Sequence, residues 1–151
     1  MGRGIDRRPA ERPVRVPIAA FDDARGSLGV IETPTLPFPV QRLYFLHGLK
    51  AGVMRGRHGH KALRQVMICL AGRVEIAFWD GRERIAMRLE TRDEGIYVPA
   101  GYWREVMPLE DGSILAVLAS DRYDAADYIH DERSYLDFLG YGGDGDEGQP
   151  K

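Results

Sequence analysis

Short apolar or alternating runs recur along the middle of the chain: SLGVIE, VQRLYFL, ALRQVMICLAG, RVEIAFWDG, ERIAMRLE, GIYVPAG, WREVMP and SILAVLAS, punctuated by Gly, Asp and Pro. Regular short strands with such punctuation predict an all-β sandwich or barrel. RVEIAFW and ERIAMRL alternate polar with apolar, as strands with one wet face do, whereas VMICL is apolar throughout and reads as a central strand. Asp80-Gly81 between the two alternating runs predicts a hairpin closed by a type I′ turn, because both central residues of that turn need positive φ. Only Tyr123 to Leu139 reads as helical: Ala126, Ile129, Arg133, Leu136 and Leu139 recur at three- and four-residue spacing behind an Asp-rich start. No internal repeat of 20 to 50 residues is visible, so nothing supports a solenoid or propeller.

The ends differ from the middle. Residues 1–16 carry five arginines in the first 15 positions and are expected to be a disordered basic leader, and 140–151, GYGGDGDEGQPK, a disordered acidic tail. A single domain over 17–139 remains, of a size that buries a core without disulfides. No apolar run approaches the roughly 18 residues that span a bilayer, and the N-terminus lacks the apolar stretch of a secretory signal, so a cytoplasmic location is expected. Cys69, the one cysteine, lies in VMICL and reads as an inert buried thiol. A formal net charge of −2 does not suit a protein that must neutralise many phosphates of a nucleic acid.

Chemistry concentrates in RGRHGHK, residues 55–61. On an extended backbone His58 and His60 point to the same face, as a metal pair or as two groups acting on one ligand. Gly52, His58, His60, Gln65 and Gly72, followed by Pro99, Gly101 and Arg104, resemble the two-motif pattern of the cupin superfamily, a double-stranded β-helix or jelly roll. Its metal-binding members have Glu where Gln65 stands and His where Arg104 stands. A neutral amide is a weak donor and a guanidinium is a permanent cation, so this set argues against a tightly held metal, and no cofactor is expected. Arg104 with Arg55, Arg57 and Lys61 suits an anion instead, with Arg57 the one expected to be spent on a surface ion pair. Neighbouring cations should hold the imidazoles neutral and basic.

Three stretches, FDDARGSLGVIE at 21–32, RLYFL with MRGRHGHKALRQVMICLAG across 42–72, and LASDRYDAADYI at 118–129, resemble the sugar 3,4-ketoisomerases of the WxcM-like (FdtA-like) cupin group. The resemblance implies an all-β cupin jelly roll with a short C-terminal helix, acting on a thymidine diphosphate-linked 4-keto-6-deoxyhexose. The carbonyl would move from C4 to C3 through an enediol(ate), in deoxysugar biosynthesis. His60 matches the position of the base, His58 that of a second proton-handling group, and Tyr44 that of a tyrosine near the sugar. Arg25, Arg42, Arg55, Lys61, Gln65 and Arg104 fall at substrate-binding positions. A homodimer with exchanged N-terminal strands is implied as well, with no nucleic-acid or membrane partner. Two alternatives stay open: a 3,5-epimerase, which resembles a His-Asp dyad with a tyrosine acid although no acidic partner for either histidine stands out, and a non-catalytic cupin that binds a sugar nucleotide.

Overall fold

The computed structural model describes residues 6–141. Twelve strands and one helix follow in chain order: β1 Val14–Pro17, β2 Ala19–Asp23, β3 Gly26–Val30, β4 Arg42–Leu49, β5 Arg55–His60, β6 Gln65–Ala71, β7 Val74–Trp79, β8 Arg84–Leu89, β9 Glu94–Val98, β10 Trp103–Pro108, β11 Ser113–Ala119, β12 Tyr128–Ile129 and α1 Glu132–Leu139. Ten of the strands form two antiparallel five-stranded sheets, ordered β1-β9-β6-β11-β4 and β12-β5-β10-β7-β8. From β4 to β12 the chain passes from one sheet to the other at every step except the β7–β8 hairpin, as in the cupin jelly roll. Among the described residues no helix is long and apolar enough to cross a membrane.

The hydrophobic pattern explains the layering. In β7 the alternation puts Val74, Ile76 and Phe78 on the inner face, where all three are fully buried. They meet Met67 of β6, Ile96 and Val98 of β9, and Leu115 and Val117 of β11 in the main core; each such side chain contributes roughly 1.5–3 kcal/mol on leaving water. β6 has no wet face over most of its length, because Val66 and Ile68 pack outward against Ile18, Phe38 and Tyr97. Cys69 lies inside as a free thiol, and burial pushes its pKa up, so it stays a packing residue.

Three expectations are corrected. Residues 6–16 were read with the leader, yet this stretch is docked: β1 pairs with β9, the Arg7 amide donates to the Leu139 carbonyl, Tyr102 Oη donates to the Glu11 carbonyl, and Arg15 pairs with Glu94 at 2.9 Å. Its arginines serve as anchors between apolar positions. Residues 1–5 and 142–151, the rest of the leader and nearly all of the acidic tail, lie outside the described residues.

The Asp80-Gly81 hairpin exists, since β7 pairs with β8, but its loop spans the four positions between Trp79 and Arg84. Asp80 Oδ1 accepts from the amides of both Arg82 and Glu83, and that local bonding favours the longer loop.

The helix over 123–139 breaks into three pieces. Ala125–Asp127 is a 3-10 turn capped by Asp124, β12 adds to the edge of β5, and only Glu132–Leu139 is α-helical. Asp124 and Asp131 both stop helical propagation by capping the turn that follows them. Ile129, Tyr135 and Leu139 pack with Trp103 on the outer face of the second sheet.

Candidate active site

β5 carries the site. Gly56 has φ +67, and β5 contributes one extra residue opposite β10: Arg104 pairs with His58 and Val106 with Arg55. This bulge separates the roles of the arginines. Arg55 lines the cavity between the sheets, whereas Arg57 points to an ion cluster with Glu105 at 3.5 Å and Glu132 at 3.4 Å. The surface role expected for Arg57 holds.

Beyond the bulge His58 and His60 share a face, their ring centroids 4.9 Å apart and edge to face at 88°. Gly59 between them lies tight against α1. A Cβ there would lie 3.2 Å from Cδ2 of the fully buried Tyr135.

The cavity holds about 190 Å³ and is lined by Tyr44, Arg55, His58 and Arg104, over an apolar floor that includes Met67 and Leu115. His58 is partly exposed, while His60 has no exposed surface and does not line the cavity. Nε2 of each imidazole is buried without a partner among the described residues. Burial and then Arg104 lower both pKa values, His58 to about 4 and His60 to about 2, so both rings are neutral at neutral pH. The expected cause is the flanking cations of the RGRHGHK stretch; the main causes are desolvation and Arg104, which is far along the chain but stands beside His58 across the β5–β10 pair.

Nδ1 of His60 meets Oδ2 of Asp127 at 2.8 Å. The same carboxylate accepts from the Ala62 amide through Oδ1 at 2.7 Å, and the Lys61 amide donates to the Asp127 carbonyl. This acidic partner overturns the expectation that neither histidine has one. Its signal was present in LASDRYDAADYI, but reading that stretch as a continuous helix hid it; the switch from 3-10 turn to strand, with Tyr128 opposite His60, brings Asp127 to the ring.

Arg104 is 1% exposed and inserts its guanidinium between the sheets. It donates to Gln65 Oε1 and, at 3.0 Å, to the Tyr102 carbonyl; Gln65 Nε2 in turn donates to Tyr44 Oη at 2.8 Å. Burial lowers the Arg104 pKa only to about 10, so it remains a cation, and burial raises that of the Tyr44 phenol. This donor set does not fit a metal ion: the Gln65 oxygen is engaged by a cation that would repel another.

The remaining predicted residues separate. The Arg42 guanidinium lies 5.2 Å from the centre of the Tyr44 ring and 5.8 Å from that of Tyr123. Lys61 is outside the cavity, in a polar cleft with Tyr128 and His130. Arg25 sits in the tight turn of the β2–β3 hairpin, 90% exposed and paired with Asp23 at 2.7 Å. Sequence reasoning passed over Tyr128, whose ring packs 4.4 Å from His60 and 5.3 Å from His58.

The sequence is 38% identical over 120 residues to a TDP-4-oxo-6-deoxy-alpha-D-glucose-3,4-oxoisomerase of Aneurinibacillus thermoaerophilus, covering 79% of this chain and 84% of that one. Among solved structures, a 3,4-ketoisomerase from Helicobacter canadensis superposes with a TM-score of 0.81 at 34% identity, over 84% of this chain and 96% of the other. A sugar 3,4-ketoisomerase from Thermoanaerobacterium thermosaccharolyticum in complex with TDP gives 0.81 at 33% identity, over 85% and 95%. Two structures of a 3'-monoepimerase from Streptomyces bikiniensis, at 18% and 20% identity, share the fold alone. The family described as WxcM-like, C-terminal (FdtA) matches residues 14–140, and the chain belongs to it.

Proposed function

We propose that the protein is a sugar 3,4-ketoisomerase that moves the carbonyl of a TDP-linked 4-keto-6-deoxyglucose from C4 to C3 in deoxysugar biosynthesis. The observation that carries this reading is the cavity itself. A neutral His58, with Nε2 free of protein partners, shares it with the Tyr44 hydroxyl and the cations Arg55 and Arg104. The family relationship supplies the substrate class.

The chemistry balances without a redox partner. A neutral imidazole removes the proton from C3, and the electron pair of that C–H bond moves through the carbonyl to leave an enediolate with charge on the C4 oxygen. Tyr44 donates a hydrogen bond to that oxygen, and Arg104 stabilises the charge at longer range. The C3 hydroxyl proton passes to the C4 oxygen, which places the charge on the C3 oxygen; that charge collapses to the new C3 carbonyl as the base returns its proton to C4. The base's proton is recovered, so no hydride leaves the sugar.

Sequence position favours His60 as the base. Its complete burial, against the place of His58 in the cavity wall, leads us to assign the roles in the reverse order. His58 meets the sugar, and His60, oriented by Asp127, supports it from behind. His58→Asn should then abolish deuterium exchange at C3, while His60→Asn should slow it; loss of exchange only in the His60 variant restores the original order.

A homodimer fits the exposed edges. β4 ends its sheet with Leu43 and Phe45 exposed, and the β2–β3 hairpin pairs only with itself, presenting Phe21 and Leu28. Because β1 is paired within its own chain, that hairpin is the element available for exchange. Arg25 in its turn would then reach substrate across the dimer, and light scattering at monomer mass would remove this part of the reading. We place the enzyme in the cytoplasm, consistent with its single free thiol.

The His60–Asp127 pair gives the 3,5-epimerase reading an observation in its favour. Incubation with TDP-4-keto-6-deoxyglucose in deuterium oxide, followed by NMR, separates the possibilities. A 3-keto product supports isomerisation, deuterium at C3 and C5 with the 4-keto group retained supports epimerisation, and binding without change supports a non-catalytic role.

A further inference from the structure

The buried chain from Arg104 through Gln65 to Tyr44 has a fixed polarity. A guanidinium has N–H donors and no acceptor, so the Gln65 atom facing Arg104 must be its oxygen. The amide nitrogen is thereby turned toward Tyr44, where it donates to Oη at 2.8 Å. Gln65 is fully buried and cannot reverse without setting an N–H against the guanidinium. The phenol oxygen is occupied as an acceptor, and its proton must point away from Gln65. Tyr44 lines the cavity that also holds His58.

We infer that Gln65 is a positioning residue that commits Tyr44 to donate its hydroxyl proton into the cavity, and that Arg104 sets this direction by holding the amide oxygen. The inference rests on the ketoisomerase reading for the identity of the acceptor, the sugar's C4 oxygen, but the polarity of the chain stands independently. Glutamine, and not glutamate, is required at this position. A carboxylate would accept from Arg104 and from Tyr44 alike, turning the phenol proton away from the substrate. The amide also strengthens the donor: as Tyr44 gives up proton density, the N–H bond to its oxygen tightens, passing the field of the Arg104 cation toward the developing charge.

Gln65→Glu tests this with a near-identical shape and a carboxylate that pairs with Arg104. The variant should lower kcat by roughly 100-fold, the cost of an oxyanion donor, with KM little changed. Tyr44→Phe should fall comparably, and the double variant should be no slower than Tyr44→Phe alone. A readout independent of turnover is the Cζ resonance of 13C-labelled tyrosine, with Tyr44 identified by its loss in Tyr44→Phe. In Gln65→Glu it should move downfield as the phenol turns to donate to the carboxylate. Multiplied losses in the double variant, wild-type kcat in Gln65→Glu, or an unmoved Tyr44 resonance would each overturn the inference. A wild-type protein inactive on the sugar would remove the ketoisomerase reading, while the resonance would still decide the polarity.

Discussion

Nδ1 of His60 stands 2.8 Å from Oδ2 of Asp127, across 67 residues of sequence, inside a site that is otherwise cationic. A carboxylate accepts only, so the Nδ1 position carries the proton and the Nε2 lone pair is left free. Backbone bonds from Lys61 and Ala62 fix the aspartate in turn, and the imidazole orientation is therefore set before substrate arrives.

Asp127→Asn should reverse that tautomer. The asparagine oxygen can keep the Ala62 amide while its NH2 faces Nδ1, which must then accept, moving the proton to Nε2. Activity should fall, but by less than the roughly 10,000-fold lost when the orienting acid of a catalytic base is replaced by its amide, because His60 supports His58 and is not itself the base. The fold should survive. Nitrogen-15 NMR of labelled histidine reads the tautomer directly, and an unchanged His60 spectrum would show that Asp127 does not set it.

Acid should destabilise the fold through the histidines. In the unfolded chain an imidazole binds its proton near 6.5, whereas His58 and His60 in the fold are held well below that by burial. Between about 6.5 and 4 the unfolded state therefore binds more protons, and stability rises with pH across that window and is lost as pH falls through it. The slope approaches about 1.4 kcal/mol per pH unit for His60, which has no exposed surface. Urea midpoints measured from pH 7 to pH 5 should decline, and His60→Asn should flatten the decline; equal midpoints would mean that His60 protonates within the fold.

Most of the strand framework was legible, because β6 to β11 are bounded by turn residues and either alternate or stay apolar as their layer demands. What the sequence obscured were features fixed by partners distant along the chain. Val14 and Val16 resemble a fraying basic arm until β9 is placed beside them. Ala126, Ile129 and Arg133 keep a helical period, but Asp124 and Asp131 cap successive turns and the chain between them is drawn into the edge of β5. In the site, the same-face pairing of His58 and His60 follows from strand period two. Their ranking does not, since it depends on which ring the opposite sheet leaves open.

The pH dependence of turnover should carry the same signature as the stability. With His58 titrating near 4, kcat/KM should hold its level through pH 6.5 and fall only below about pH 5. Initial rates taken where circular dichroism reports an intact fold separate titration of the base from unfolding. An acid limb centred near 6.5 would identify a solvated imidazole, in conflict with the low pKa of His58.

Gly59→Ala should cost stability although it adds one methyl group. The new Cβ would stand 3.2 Å from the Tyr135 ring, which is fully buried with Trp79 and Trp103 at centroid distances of 5.6 Å and 5.8 Å and has nowhere to retreat. Overpacking of this kind costs about 1–3 kcal/mol. Because Gly59 lies between the two histidines, relief by backbone movement would also displace His58, so kcat should fall with stability. A urea midpoint equal to that of the wild type would mean that α1 yields freely.

Turnover should survive exhaustive dialysis against EDTA. A divalent ion placed against His58 and His60 would need further donors, and the two positions that complete such a site in metal-binding cupins hold an amide and a guanidinium. The amide oxygen of Gln65 already accepts from Arg104, and Arg104 stays cationic with its pKa near 10. Recruiting that oxygen would cost the bond and bring the ion against a buried positive charge in a medium that screens poorly. Rates before and after chelation, with metal content measured on the same samples, decide the matter: loss of activity restored by one added divalent metal would show that the histidine pair ligates an ion despite Arg104.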